Sequence, residues 1–136
     1  MPIDAPDYTT WVQTVEVIAS SPTPLLASTE TPISETEGKV TTTSSDYQTL
    51  ATWTISAGKI GVLYGVELYA VPFSAAHFRL TINGAIQWQN VEFPTGLNMI
   101  FSDARLPAAA VVLVEGKSND GSSVKLWGHI EGKEVG

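Results

Sequence analysis

The chain contains no cysteine. Disulfide frameworks, cysteine-ligated zinc and thiol catalysis are therefore excluded. Histidine is scarce, with two in 136 residues. Charge is scarce as well: Asp, Glu, Lys and Arg make up 15%, against about 25% in an ordinary soluble domain. Basic residues are the smaller share, seven against fourteen acids, giving a net charge of −7. A surface of that sign repels phosphate and argues against a nucleic-acid partner. No apolar run approaches the roughly 18 residues of a membrane helix, so no membrane partner is expected. The opening MPIDAPDYTT carries acids but neither a basic nor an apolar segment, and does not read as a secretory signal. What the chain does have is 43% hydrophobic residues. That share is enough for one domain's core and is inconsistent with disorder throughout.

The chain reads as two unequal parts. Ala19 to Asp46 holds sixteen Ser, Thr or Pro among 28 residues. Pro22, Pro24 and Pro32 remove ladder donors, so this stretch reads as an extended connection and not as a packed element. Ahead of it, Trp11 to Ile18 (WVQTVEVI) is rich in β-formers and reads as one strand. The first 40 residues hold six acids and one lysine, so acidity concentrates there. Residues 1–40 are accordingly an extended N-terminal arm with one strand, and 41–136 a folded domain. An arm strand with unpaired donors and acceptors either closes its own sheet or adds to a neighbouring subunit. Tyr8, Trp11, Val15 and Val17 are the interface candidates on it.

From Tyr47 onward the pattern is β. Seven runs follow: 47–55, 60–70, 77–82, 85–90, 97–101, 111–117 and 124–132. In 77–82 the alternation is clean, with Phe78, Leu80 and Ile82 on one face. Asn83-Gly84 between two such runs predicts a tight hairpin, because both turn residues tolerate positive φ. Asp120-Gly121 predicts a second hairpin between the last two runs. Leu106 to Ala110 reads as a turn, and no stretch keeps a helical period. Short antiparallel strands in this number predict an all-β, two-sheet sandwich, jelly-roll-like, with an N-terminal arm. Phe78, Leu80, Ile82, Leu113 and Leu126, then Leu63 and Leu68, are the expected core.

The search for chemistry finds little. A nucleophilic triad could draw its base only from His77 or His129, and no G-x-S-x-G elbow occurs. Two distant histidines do not suggest zinc. Asn119-Asp120-Gly121 lacks the acid spacing of a calcium loop. Glu67, Glu92, Asp103 and Glu115 could in principle pair as acid and base, but no spacing singles them out. Neither a metal nor a cofactor is implied. The aromatics offer a different reading. Trp53, Trp88 and Trp127, with Tyr64 and Tyr69, could stack on sugar rings if exposed, or pack in the core or an interface.

The order of segments carries a resemblance. VTTTSSDYQTLATWTI, the turn SAGK and the long run IGVLYGVELYA are followed by FRLTINGAIQW and RLPAAAVVLVEGKSNDGSSVKLWGHIEGK. Together with the opening MPIDAPDYT, this resembles the small jelly-roll structural proteins of tailed bacteriophage particles. Residues 40–133 carry most of the likeness. The resemblance implies a non-enzymatic virion protein, most readily a decoration or stabilising protein on the capsid surface, made in the host cytoplasm. It implies a homo-oligomer, often a homotrimer, bound to the major capsid protein or another virion protein. It supplies no active-site residues. The alternative is a receptor- or glycan-binding module of a fibre or tail.

Overall fold

The computed structural model describes residues 29–36 and 39–136. The strand proposed at Trp11–Ile18 lies outside the described residues. Nine strands form two antiparallel sheets: β1 (Glu30–Glu35), β2 (Val40–Thr42), β3 (Gln48–Thr54), β4 (Ile60–Val71), β5 (Ala76–Ile82), β6 (Ala85–Val91), β7 (Leu97–Leu106), β8 (Val111–Ser118) and β9 (Val124–Val135). The larger sheet runs β1-β9-β4-β7, with β2 also on β9, and the smaller runs β3-β8-β5-β6. Both β1 and β2 pair with β9, end to end, so they act as one interrupted edge strand. Counted that way, the eight strands of the described residues alternate between the sheets in jelly-roll order, with β5–β6 the one hairpin inside a sheet among them.

The seven expected runs after Tyr47 all form strands, and 107–110 is a turn between β7 and β8. Asn83 (φ 51°) and Gly84 (φ 80°) form the foreseen hairpin turn. Two readings are corrected. Part of the Ser/Thr/Pro-rich stretch is sheet, since β1 and β2 fall within it. Pro32 is accommodated because β1 lies at a sheet edge, where a missing donor costs little. The second correction concerns Asp120-Gly121, which does not close a hairpin: β8 and β9 lie in opposite sheets. Two-residue hairpin turns need positive φ at the first central residue (type II′) or at both (type I′). Here Gly121 has it (φ 83°) and Asp120 does not. Asp120 Oδ1 instead accepts from the Ser122 amide (2.9 Å) and hydroxyl (2.6 Å). The resulting turn carries the chain across the sandwich.

The core follows from period-two burial. In β9, Val124, Leu126, Gly128, Ile130, Gly132 and Glu134 point inward, and Trp127 and His129 outward. Leu63, Leu68, Phe78, Leu80 and Leu126 are buried as expected. Ile82 is half-buried at the rim. Leu113 falls out of the core, because β8 turns Val112 and Val114 inward and leaves Leu113 half-buried on the outer face. On β4, a register shift between Leu63 and Gly65 resets the alternation. Leu63 and Val66 can then both be fully buried.

Two glycines on β9 receive large side chains from β3. A Cβ on Gly128 would sit 2.6 Å from Leu50 Cβ, and one on Gly132 would sit 2.9 Å from the Trp53 ring. Trp53 thus reaches across the sandwich to the opposite sheet. Its indole Nε1 donates to Glu134 Oε2 at 2.9 Å. The Ser56 amide donates to the same oxygen at 3.1 Å. Trp53 is 3% exposed and Glu134 5%. Hydrogen bonding from Ser56, then from Trp53, holds the Glu134 carboxyl below its usual range against the opposing effect of burial.

Replacing Glu134 by Leu leaves the buried Trp53 indole N–H unpaired, at about 1–3 kcal/mol, while the amide of the exposed Ser56 can turn to water. Glu134→Leu is therefore expected to lower the unfolding free energy by about 1–3 kcal/mol in urea denaturation at neutral pH. Because the folded-state pKa is depressed, this carboxylate's contribution is complete above the usual glutamate range. It is lost as pH falls through and below about 4.3. Glu134→Gln should flatten that acid-side loss; a variant profile parallel to wild type from pH 7 to pH 3 would contradict the assignment.

Candidate functional site

The outward faces of the two sheets differ in kind. On the smaller sheet, polar groups satisfy one another. Arg79 Nε donates to Glu115 Oε1 at 2.7 Å. The Tyr47 ring lies under the Arg79 guanidinium (4.2 Å) and the Lys117 ammonium (4.7 Å). Tyr47 Oη donates to Asn90 Oδ1 at 2.8 Å and accepts the Asn90 amide at 2.7 Å. The hydrogen bond from Arg79 to Glu115 comes first in holding the Arg79 pKa up. This face is closed by its own contacts.

The larger sheet is different. Ile60, Tyr64, Tyr69, Val71 and Ile100 all point outward from it, between 43% and 80% exposed. Ile86, on β6, is the other large apolar side chain exposed among the described residues. In a sandwich the outer positions of an antiparallel sheet are ordinarily polar. Ile100, on the edge strand β7, pairs with Gly65, the chain neighbour of Tyr64 on β4. Their strip lies towards one end of the face.

Towards the other end is a groove of about 640 Å³. Its walls come from β4, β7 and β9. Tyr69 pairs with Trp127 in register, and the rings meet edge to face at 5.1 Å. Phe73 extends the aromatic series, 5.2 Å from Tyr69. Two residues along each strand lies a polar row. His129 is in register with Glu67, and Glu67 with Asn98. Thr36 bonds to His129 Nδ1 through its hydroxyl, and Glu131 lies 3.2 Å from His129 Nε2.

The proposed sites separate accordingly. Tyr8, Trp11, Val15 and Val17 lie outside the described residues. Among the aromatics, Trp127 and Tyr69 are brought together. Trp53 is enclosed in the core and cannot meet a sugar, which corrects its place among the glycan contacts. Trp88 lies opposite Leu80 and is half-buried against Phe93, at 5.7 Å, on the smaller sheet and apart from Trp127. Tyr64 stands apart near Lys133. His77 and Glu115 face outward from the smaller sheet, while His129 and Glu67 face outward from the larger, so neither the histidines nor these carboxylates converge. The side chain of Asp103 lies outside the described residues. No group of three or more potential metal ligands occurs among the described residues. Sequence reasoning missed Asn98 and Thr36 as neighbours of this groove; cross-strand register is their only signal. No family model, no curated protein and no solved structure matches the chain.

The contrast between the faces has an energetic consequence. Glu115 is 7% exposed, so Arg79→Met should cost about 1–3 kcal/mol by leaving it unpaired. Lys133→Met breaks the exposed pair with Glu30 and should change stability by less than about 1 kcal/mol. Equal losses in parallel urea titrations would show that the smaller sheet's face is not internally closed.

Proposed function

We propose that this chain is a non-enzymatic structural subunit of a tailed-phage virion, a decoration or stabilising protein that self-associates and docks on the capsid. The observation that carries the reading is the outward face of the larger sheet. Tyr64, Ile100 and Ile60 place apolar surface where a free-standing sandwich would be polar, as expected of a surface covered on assembly. The jelly-roll order accords with the resemblance of residues 40–133 to small virion proteins. Homotrimers and the major capsid protein are the partners this reading expects, and Tyr8, Trp11, Val15 and Val17 of the arm are its additional anchors. Binding to the assembled shell alone would stabilise that shell by mass action.

In solution the full-length chain is expected at a multiple of 14.5 kDa, three-fold for a trimer. Ile100→Ser with Tyr64→Ser should shift it towards monomer in light scattering, with the melting temperature little changed. Particles purified from the phage that encodes the chain should contain it at fixed stoichiometry by mass spectrometry. A monomeric wild type that is abundant in lysate and absent from particles would sink this reading.

A further inference from the structure

We propose that the groove beside Tyr69 and Trp127 binds a neutral hexopyranose unit of a surface glycan. The groove is amphipathic in the way a sugar ring is. One wall is aromatic: Trp127 and Tyr69, edge to face, with Tyr69 backed by Phe73. The parallel row carries Thr36, His129, Glu67 and Asn98, all lining the same groove. Strand geometry separates the two rows by two residues, about 6.6–6.8 Å, comparable with the breadth of one pyranose ring. A sugar laid across the groove therefore sets its C–H face on the aromatic wall and its hydroxyls on the polar row. Aromatic rings offer the apolar contact at low conformational cost, while the Glu67 carboxylate and the Asn98 amide supply acceptors and donors; both ring nitrogens of His129 already have partners.

The occupant's charge follows from the lining. Glu67 is exposed within the groove, and Glu131 adjoins His129. Two lysines flank the aromatic wall: Lys39, 5.4 Å from the Trp127 ring centre, and Lys125, in register with Val71 on the side away from Glu67. A sialylated or sulfated sugar would bring its anion against Glu67 in a chain of net charge −7. A neutral sugar meets no such penalty, and its vicinal hydroxyls can donate to the carboxylate. The groove's volume lies within the range of small-ligand clefts, about 300–1,000 Å³. The inference rests on the groove alone, so its failure leaves the virion reading standing.

The test uses the full-length wild-type chain on an array of neutral, sialylated and sulfated glycans. The strongest hit is then titrated by NMR. Signals confined to neutral hexose-containing glycans are expected, with amide shifts clustered at Tyr69, Asn98, Trp127 and His129. Trp127→Ala should weaken binding at least ten-fold and Glu67→Gln several-fold. Ile86→Ser, on the other sheet, should leave it unchanged. Glu67→Gln and the wild-type shift map keep the result decisive if Trp127→Ala fails to fold. The proposal is overturned by a folded wild type that binds no array glycan, by preference for anionic glycans, by shifts mapping elsewhere, or by a Trp127→Ala variant that loses its oligomer and keeps its sugar affinity.

Discussion

The sandwich depends on one reach across its middle. Trp53 leaves β3, crosses to the opposite sheet and lies against Gly132, with its N–H on the Glu134 carboxylate. Three constraints meet there. The indole needs space, which only a residue without a Cβ provides at 132. Its donor needs an acceptor, because a buried unpaired N–H is costly. A buried carboxylate in turn needs donors, and Ser56 and Trp53 both supply them. Each component alone breaks a rule of core composition; together they fix how the two sheets face each other. Leu50 over Gly128 repeats the space-filling part of the device two turns of the pleat away. Packing of this kind specifies register, because a one-residue slip of β9 would place Lys133 or Glu131 under the indole.

How much of this could be read from the chain alone divides by range. Strands after Tyr47 were readable because their apolar alternation is a local signal. The Asn83-Gly84 turn was readable because positive φ is a property of the residues themselves. Asp120-Gly121 misled because the same residue types also cap a sheet-switching turn, and only the partner of β9 distinguishes the two. Leu113 misled because Val111–Lys117 is apolar on both faces, so alternation could not choose the inward phase. β1 and β2 were hidden by Ser, Thr and Pro, which weaken local strand signals but are tolerated at an edge. The groove was readable only in fragments. Trp127 and Tyr69 stand 58 positions apart in the numbering, and nothing but the β4–β9 register puts them side by side. Glu134 gave no sign of being buried, since an acid in an alternating EGKEV run ordinarily faces water.

The functional picture follows from how unevenly the outside is finished. On the smaller sheet, Arg79, Glu115, Tyr47 and Asn90 satisfy one another. On the larger sheet, apolar side chains stand out at one end and an aromatic groove with a polar margin opens at the other. The two histidines face opposite sides of the sandwich. The outer face of β9, β4 and β7 is the working surface we propose, and the buried Trp53–Glu134 bridge ties β9 of that sheet to β3 of the other.

That claim is most directly tested by carbene footprinting of the full-length chain across a concentration series. The account predicts that Tyr64 and Ile100 become protected as the protein self-associates, while Tyr47 and Ile86 on the smaller sheet keep constant labelling. Constant labelling of Tyr64 and Ile100 up to the highest concentration, or protection confined to the smaller sheet, would contradict it.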